Sequence, residues 1–256
     1  MSRESLGIER AGRNPGSYSA VVLGSTGNVG RQIVNLLAAS PAVRQVVVVN
    51  RRQTDEFEDK LKVREVVVSD MDRLAEAVEP AARQAGATVG FCAIGVGKGS
   101  QKMPEAEVRK IEVQYPEAFA NGCKAGGVLC MGLMTAAGSD IKSRFTYVRI
   151  IGEKEKAVTG VGIPALGIYK PSVIFGNSNT PSYLRYVFPA VQCVLPSRYH
   201  SIHKNELARA MFEGTQMALA ELQQKQAQGG SFLKPVVKSY EFSDMKPFFN
   251  KGDPKD

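Results

Sequence analysis

The chain of 256 residues has no tryptophan, two histidines and four cysteines, and each scarcity closes off a kind of chemistry. The cysteines (Cys92, Cys123, Cys130, Cys193) form no CxxC pair. With so little histidine beside them, neither a zinc site nor a disulfide framework is expected. A reducing intracellular compartment, cytoplasmic or mitochondrial, fits that usage. Long apolar runs are missing too. None approaches the roughly 18 residues that cross a bilayer, and the most apolar stretch beyond residue 100, Gly126 to Ala137, is short and rich in glycine. The chain therefore reads as soluble, with no membrane span. Its first sixteen residues carry Arg3, Arg10 and Arg13 but also Glu4 and Glu9, which makes a poor presequence because transit peptides avoid acids.

Acidic charge is in deficit: 33 Lys and Arg against 25 Asp and Glu leave a net charge of +8. Such a balance invites a nucleic-acid partner. Yet the basic residues are interspersed with acids, as in RRQTDEFEDKLK, and no basic run alternates with aromatics. A solvated basic surface accounts for the charge, and a site for anionic phosphates is a second sufficient source of part of it. Nucleic-acid binding is left without support.

What the sequence does contain is a core. Hydrophobic residues make up 43% of it and charged ones 23%, a composition that folds. SAVVLG, VRQVVVVN, VREVVVSD, TVGFCAIG and GVLCMGLM are continuous apolar runs of strand length, the pattern of strands buried on both faces of a parallel sheet. Between them VGRQIVNLLAAS and MDRLAEAVEPAARQ show helical spacing, and EAEVRKIEVQYPEAFANGCKA is a longer helix with a kink expected at Pro116. This alternation predicts an α/β fold with a doubly wound, mostly parallel sheet. IPALGIYKPSVIFGN reads as a sixth strand running into a loop, SNTPSYLRYVFPAVQCVLP as a loop and short helix, and residues 205–226 as an amphipathic helix. Residues 1–16 read as a flexible N-terminal segment, 17–246 as one domain with C-terminal elaborations, and 247–256 as a polar tail.

The chemistry starts at VVLGSTGNVGRQIV. Gly24, Gly27 and Gly30 form GxxGxxG directly after a strand and opening a helix. The first glycine allows a tight turn, the second lets backbone approach a pyrophosphate, and the third lets helix pack on strand. Thr26, Asn28 and Val29 complete the turn whose amides would face the phosphates at the helix N-terminus. A dinucleotide site follows, and one more absence bears on its kind. An NAD site places a carboxylate about 20 residues on, where this chain has Asn50, Arg51 and Arg52. Two arginines suit a 2′-phosphate in charge and fork geometry, so NADP(H) is expected over NAD(H). Asp70, after the third strand, is placed to bond an adenine amino group or to cap a turn.

Taken in order, VLGSTGNVGRQIV, VVVNRR, VGFCAIGVGKG, IEVQYPEAFANGCKAGG, GSDIKSRFTYVRIIGEKE and IYKPSVIFG resemble the atypical short-chain dehydrogenase/reductases of the Tat-interacting oxidoreductase type, with looser likeness to NmrA-like Rossmann proteins. The resemblance covers about residues 18 to 176, and SIHKNELARAM is a weaker echo beyond it. It implies that Gly95 and Gly97 line the cofactor. It also implies an active site in which Thr135 stands at the family's serine and Tyr147 at its tyrosine. The lysine expected four residues after that tyrosine is Ile151, while Gly152, Glu153 and Glu155 stay in register.

In such enzymes the lysine lowers the tyrosine pKa from about 10 and holds the nicotinamide ribose hydroxyls. Isoleucine does neither, and losing those charged bonds weakens cofactor binding by roughly 1.5–3 kcal/mol. Arg149 lies about 200° around the helix from Tyr147, Lys156 lies opposite, and Lys154 sits about 4.5 Å further along the axis than the lost lysine, so none replaces it. Tyr147 and Thr135 keep the hydroxyls that a slow reductase would need. His200 and His203 lack any nucleophile or metal spacing and read as loop and helix-start residues. The expectation is an NADP(H)-binding protein with a degenerate site, acting as an accessory subunit, scaffold or redox sensor. Protein partners within a larger assembly are expected.

Overall fold

The computed structural model describes residues 17–97, 103–176, 194–229 and 234–249. The apolar runs become strands β1 (Tyr18–Leu23), β2 (Val43–Asn50), β3 (Val63–Val67), β4 (Ala87–Cys92), β5 (Cys130–Met134) and β6 (Ala165–Tyr169). Every residue of β1 is buried, as a strand with helices on both sides must be. The sheet has a seventh strand, β9 (Val236–Tyr240), and runs β3-β2-β1-β4-β5-β6-β9, parallel throughout. The doubly wound fold predicted from the sequence is the one observed.

Two helices cover one face, α1 (Asn28–Ala39) and α6 (Lys204–Ala227), with Ile33 and Met211 packing against Val22 and Phe91. Three cover the other, α2 (Leu74–Ala85), α4 (Tyr115–Ala125) and α5 (Thr146–Val161), where Leu74, Phe119 and Val158 meet Val21 and Met131. Strand order reverses between β1 and β4, so the loops leaving their carboxyl ends part and open a crevice.

The long helix before β5 is interrupted as Pro116 predicts, though by a different device from a simple kink. A short α3 (Glu105–Arg109) passes into a π turn over Lys110–Gln114 before α4 begins. The Tyr115 N–H there bonds the Lys110 carbonyl, five residues back. Pro116 has no N–H for the carbonyl of Glu112, and its ring crowds that same carbonyl. Widening the turn relieves both conditions.

The sequence reading did not anticipate the seventh strand, β9 (Val236–Tyr240). It forms the outer edge beside β6, with Val236 and Val237 exposed and Tyr240 stacked on Tyr169 at 4.6 Å. A second, two-stranded sheet pairs β7 (Ile174–Phe175) with β8 (Ile202–His203). His203 then caps α6: its Nδ1 accepts from the Asn205 amide at 3.3 Å, and Glu206 accepts from the His203 amide at 2.9 Å. His200 contacts the Leu195 carbonyl through Nε2 at 3.1 Å. Both histidines thus have the structural roles expected of them. Most of the loop and short helix expected before residue 197, including Cys193, lies outside the described residues. At the C-terminal end a four-residue helix, α7 (Phe242–Met245), leads into a turn whose Phe248 and Phe249 pack on the core.

Candidate functional site: a dinucleotide crevice

Crowding fixes two of the three glycines after β1. Gly24 has φ +86°, and a Cβ there would lie 2.7 Å from the Ala93 backbone. One at Gly30 would lie 2.0 Å from the Gly24 carbonyl oxygen. Gly27 closes the turn by donating to that oxygen at 3.0 Å and, like Thr26, is exposed. No side chain caps α1, and its first backbone bond runs from the Arg31 N–H to the Gly27 carbonyl. The amides of Asn28, Val29 and Gly30 therefore have no partner among the described residues. Free amides at the positive end of a helix fit a pyrophosphate.

At the end of β2 a polar chain runs inward. Ser25 Oγ donates to Asn50 Oδ1 at 2.6 Å, Asn50 Nδ2 donates to Glu65 Oε1 at 2.6 Å, and the Thr54 amide donates to Glu65 Oε2 at 3.2 Å. Asn50 is buried. The corner that an NAD site gives to a carboxylate is thus filled by an amide, and the nearby carboxylate of Glu65 has both oxygens engaged. Sequence reasoning missed Ser25 and Glu65. The signal was strand register, which sets Glu65 opposite Val48 on β2. Arg51 and Arg52 are exposed and make no ion pair with a described residue. Arg31, by contrast, is held by Glu56. Asp70 Oδ1 accepts from the Asp72 amide at 3.1 Å and caps a short 3-10 turn, the second of its two expected roles.

The third part of the site lies between β4, β5 and α5. Gly95 and Gly97 follow β4 and are exposed, and Gly97 has φ +63°. Thr135 leaves β5 and is buried, its Oγ 3.4 Å from the Tyr169 carbonyl oxygen. Tyr147 sits in the first turn of α5 and is 45% exposed. Crowding of its phenol by protein and then the Glu112 carboxylate both push its pKa above the ordinary value. That is the reverse of what a lysine at 151 would do. Ile151 itself is buried.

The cations of α5 go elsewhere. Arg149 bonds the Ser143 carbonyl at 3.2 Å and reaches Glu105 at 3.5 Å. Lys156 is exposed. Lys154 turns inward, and its Nζ donates to the Ile94 carbonyl at 3.0 Å and to Glu112 Oε2 at 3.1 Å. Glu112 Oε1 in turn accepts from the Val96 amide at 2.9 Å. Glu112 was the other residue missed. Its sequence signal was Pro116, four positions on, which sets the π turn that carries it.

A parallel sheet in this order, with helix amides at the reversal that have no partner among the described residues, defines a doubly wound Rossmann-like fold. No protein-family model matches the chain. It is 26% identical over 235 residues to the mitochondrial protein FMP52-1 of Scheffersomyces stipitis, covering 91% of this chain and 99% of that one. It is 29% identical over 157 residues to HTATIP2 of Rattus norvegicus, covering 61% of this chain and 62% of that one. Both are homologues of the chain, and the resemblance read from its motifs stands. Among solved structures, a short-chain dehydrogenase/reductase from Serratia marcescens superposes with TM-score 0.59 at 12% identity, covering 91% of this chain and 100% of that one. MoeE5 in complex with UDP-glucose and NAD superposes with TM-score 0.58 at 14% identity, covering 87% and 85%. These two establish the fold.

Proposed function

We propose that the chain binds NADP(H) and serves as a non-catalytic accessory subunit, scaffold or redox sensor docked to protein partners, in mitochondria. Support for the cofactor comes from the amides of Asn28 to Gly30 and from Arg51 and Arg52, which have no hydrogen-bond or ion-pair partner, respectively, among the described residues. Support for the compartment comes from the relatives named as mitochondrial. One observation carries the loss of catalysis: a buried isoleucine, Ile151, stands one turn after Tyr147, while the Lys154 ammonium is bound to Ile94 and Glu112. A tyrosine so placed holds its proton and cannot act as a base near neutral pH. When bound, the cofactor would supply or accept hydride. The chain's own contribution would be the phosphate turn, the arginine corner and the floor at Gly95 and Gly97.

Two measurements test this reading. Calorimetric titration should show NADPH binding at least tenfold more tightly than NADH, and equal affinities would remove the 2′-phosphate argument. Native mass spectrometry of protein taken gently from its own cells should find it in a larger complex. A free monomer carrying cofactor would instead turn attention to substrates.

The same tyrosine favours a second reading. Carbonyl reduction needs a protonated phenol, which Tyr147 is, so a slow NADPH-dependent reductase using Tyr147 and Thr135 is the alternative. Ile151→Lys separates the two: an enzyme's site gains turnover of small carbonyl substrates, and a site remodelled for docking stays silent.

A further inference from the structure

The loop after β4 is gripped from both sides. On one side the Gly24 turn lies so close to Ala93 and Ile94 that a Cβ on Gly24 would overlap their backbone, at 2.7 and 2.8 Å. On the other side stand Glu112 and Lys154, both 2% exposed at the side chain and 3.1 Å apart. Lys154 donates to the Ile94 carbonyl at 3.0 Å, and Glu112 accepts from the Val96 amide at 2.9 Å. Gly95 lies between these two bonds, its own backbone exposed, with Glu112 Oε1 3.3 Å from where its Cβ would be.

We propose that Glu112 and Lys154 are a pair of positioning residues that holds Ile94–Val96 in the shape the nicotinamide half of the cofactor rests on. The inference rests on the cofactor reading above and assigns these two residues a specific part in it. Lys154 stands one helical turn beyond Ile151, so α5 still delivers a lysine toward the crevice. This one acts through the loop, behind the ligand.

Burying an ion pair is a poor way to gain stability, because apolar residues of similar size do as well or better. What a buried pair can supply instead is one fixed geometry, and this one bonds both flanks of a single glycine. The π turn points the same way. Glu112 reaches the loop from the one widened turn of an otherwise regular helix, and such turns gather at functional sites. A pair serving only to join helices would not need to bond the backbone of a third element.

The test uses the full chain and two probes: NADPH, and adenosine 2′,5′-bisphosphate, which lacks the nicotinamide half. Removing one partner leaves a buried charge alone and threatens folding. The informative protein is therefore the double variant Glu112→Leu with Lys154→Met, which removes both charges. It should stay folded and bind the bisphosphate as wild type does, within about twofold. Its NADPH affinity should fall by about tenfold or more, as loss of preorganisation predicts. The fluorescence gain of bound NADPH, which reports the nicotinamide's surroundings, should shrink with it. A purely structural role would lower melting temperature and leave the two probes in their wild-type ratio, which would overturn the proposal. Wild-type protein that binds neither NADPH nor NADH would overturn the cofactor reading, and this inference with it.

Discussion

The Tyr147 phenol, its pKa pushed up by burial and then by the Glu112 carboxylate, keeps its proton across the physiological range. Two consequences follow at this scale. Any carbonyl reduction the protein performs should be flat from about pH 6 to about pH 9, with no basic limb from this residue, as a rate profile would show. Folding is favoured by the protonated phenol fully below the unfolded tyrosine's pKa of about 10, and that contribution declines as pH rises past it. Arginines 51 and 52 allow a sharper test. Replacing both with alanine should weaken NADPH by about tenfold or more while leaving NADH nearly unchanged, measured by titration calorimetry. Gly30→Ala should be worse than either. Its methyl group would overlap the Gly24 carbonyl, so stability should drop by about 3 kcal/mol and dinucleotide binding should go with it, in urea melts and titrations alike.

At the scale of elements, legibility tracked burial. Runs such as VVVV at 46–49 are apolar because both faces of β2 are covered, so continuous hydrophobicity identified that strand. β9 escaped for the opposite reason. Four of its five residues are exposed at the sheet edge, and PVVKSY carries too little apolar character to declare itself. The glycine turn could be read because its geometry forbids side chains, a constraint visible in one dimension. The pairings of Glu112, Lys154, Asn50 and Glu65 were not legible in this way, because charge and amide groups look alike in sequence whether solvated or sunk in a pair. Their roles depend on what another element brings opposite them. Pro116 is the intermediate case: it announced an interruption and left its form open. Pro116→Ala should let the helix close to regular spacing and carry Glu112 away from the Val96 amide. NADPH affinity should then fall while helix content, read by circular dichroism, holds or rises.

For the whole molecule, ligand and fold are linked. NADPH at a hundredfold excess over its dissociation constant should add about 2.7 kcal/mol, a rise in melting temperature of about 5 to 10 °C, and NADH should add less. The core should also be chemically silent. Burial pushes the Cys92 thiol up to about 11 and Cys130 up to about 12, so neither forms thiolate near neutral pH. Native protein should take up iodoacetamide at these positions only after denaturant opens it, as peptide mass mapping would report.

The late arrival of β9 sets a schedule for the ribosome. β6 is complete by Tyr169, but its outer neighbour does not begin until Val236, and the ring that stacks on Tyr169 belongs to Tyr240. For some seventy residues of synthesis β6 waits as an open, apolar edge, and such edges recruit other strands. A message cut short between the end of β6 at Tyr169 and the start of β9 at Val236 would therefore yield a sticky protein rather than a trimmed one. Quality control would see it as waste even though β1, β4, β5 and α5, which frame the crevice, had already been translated.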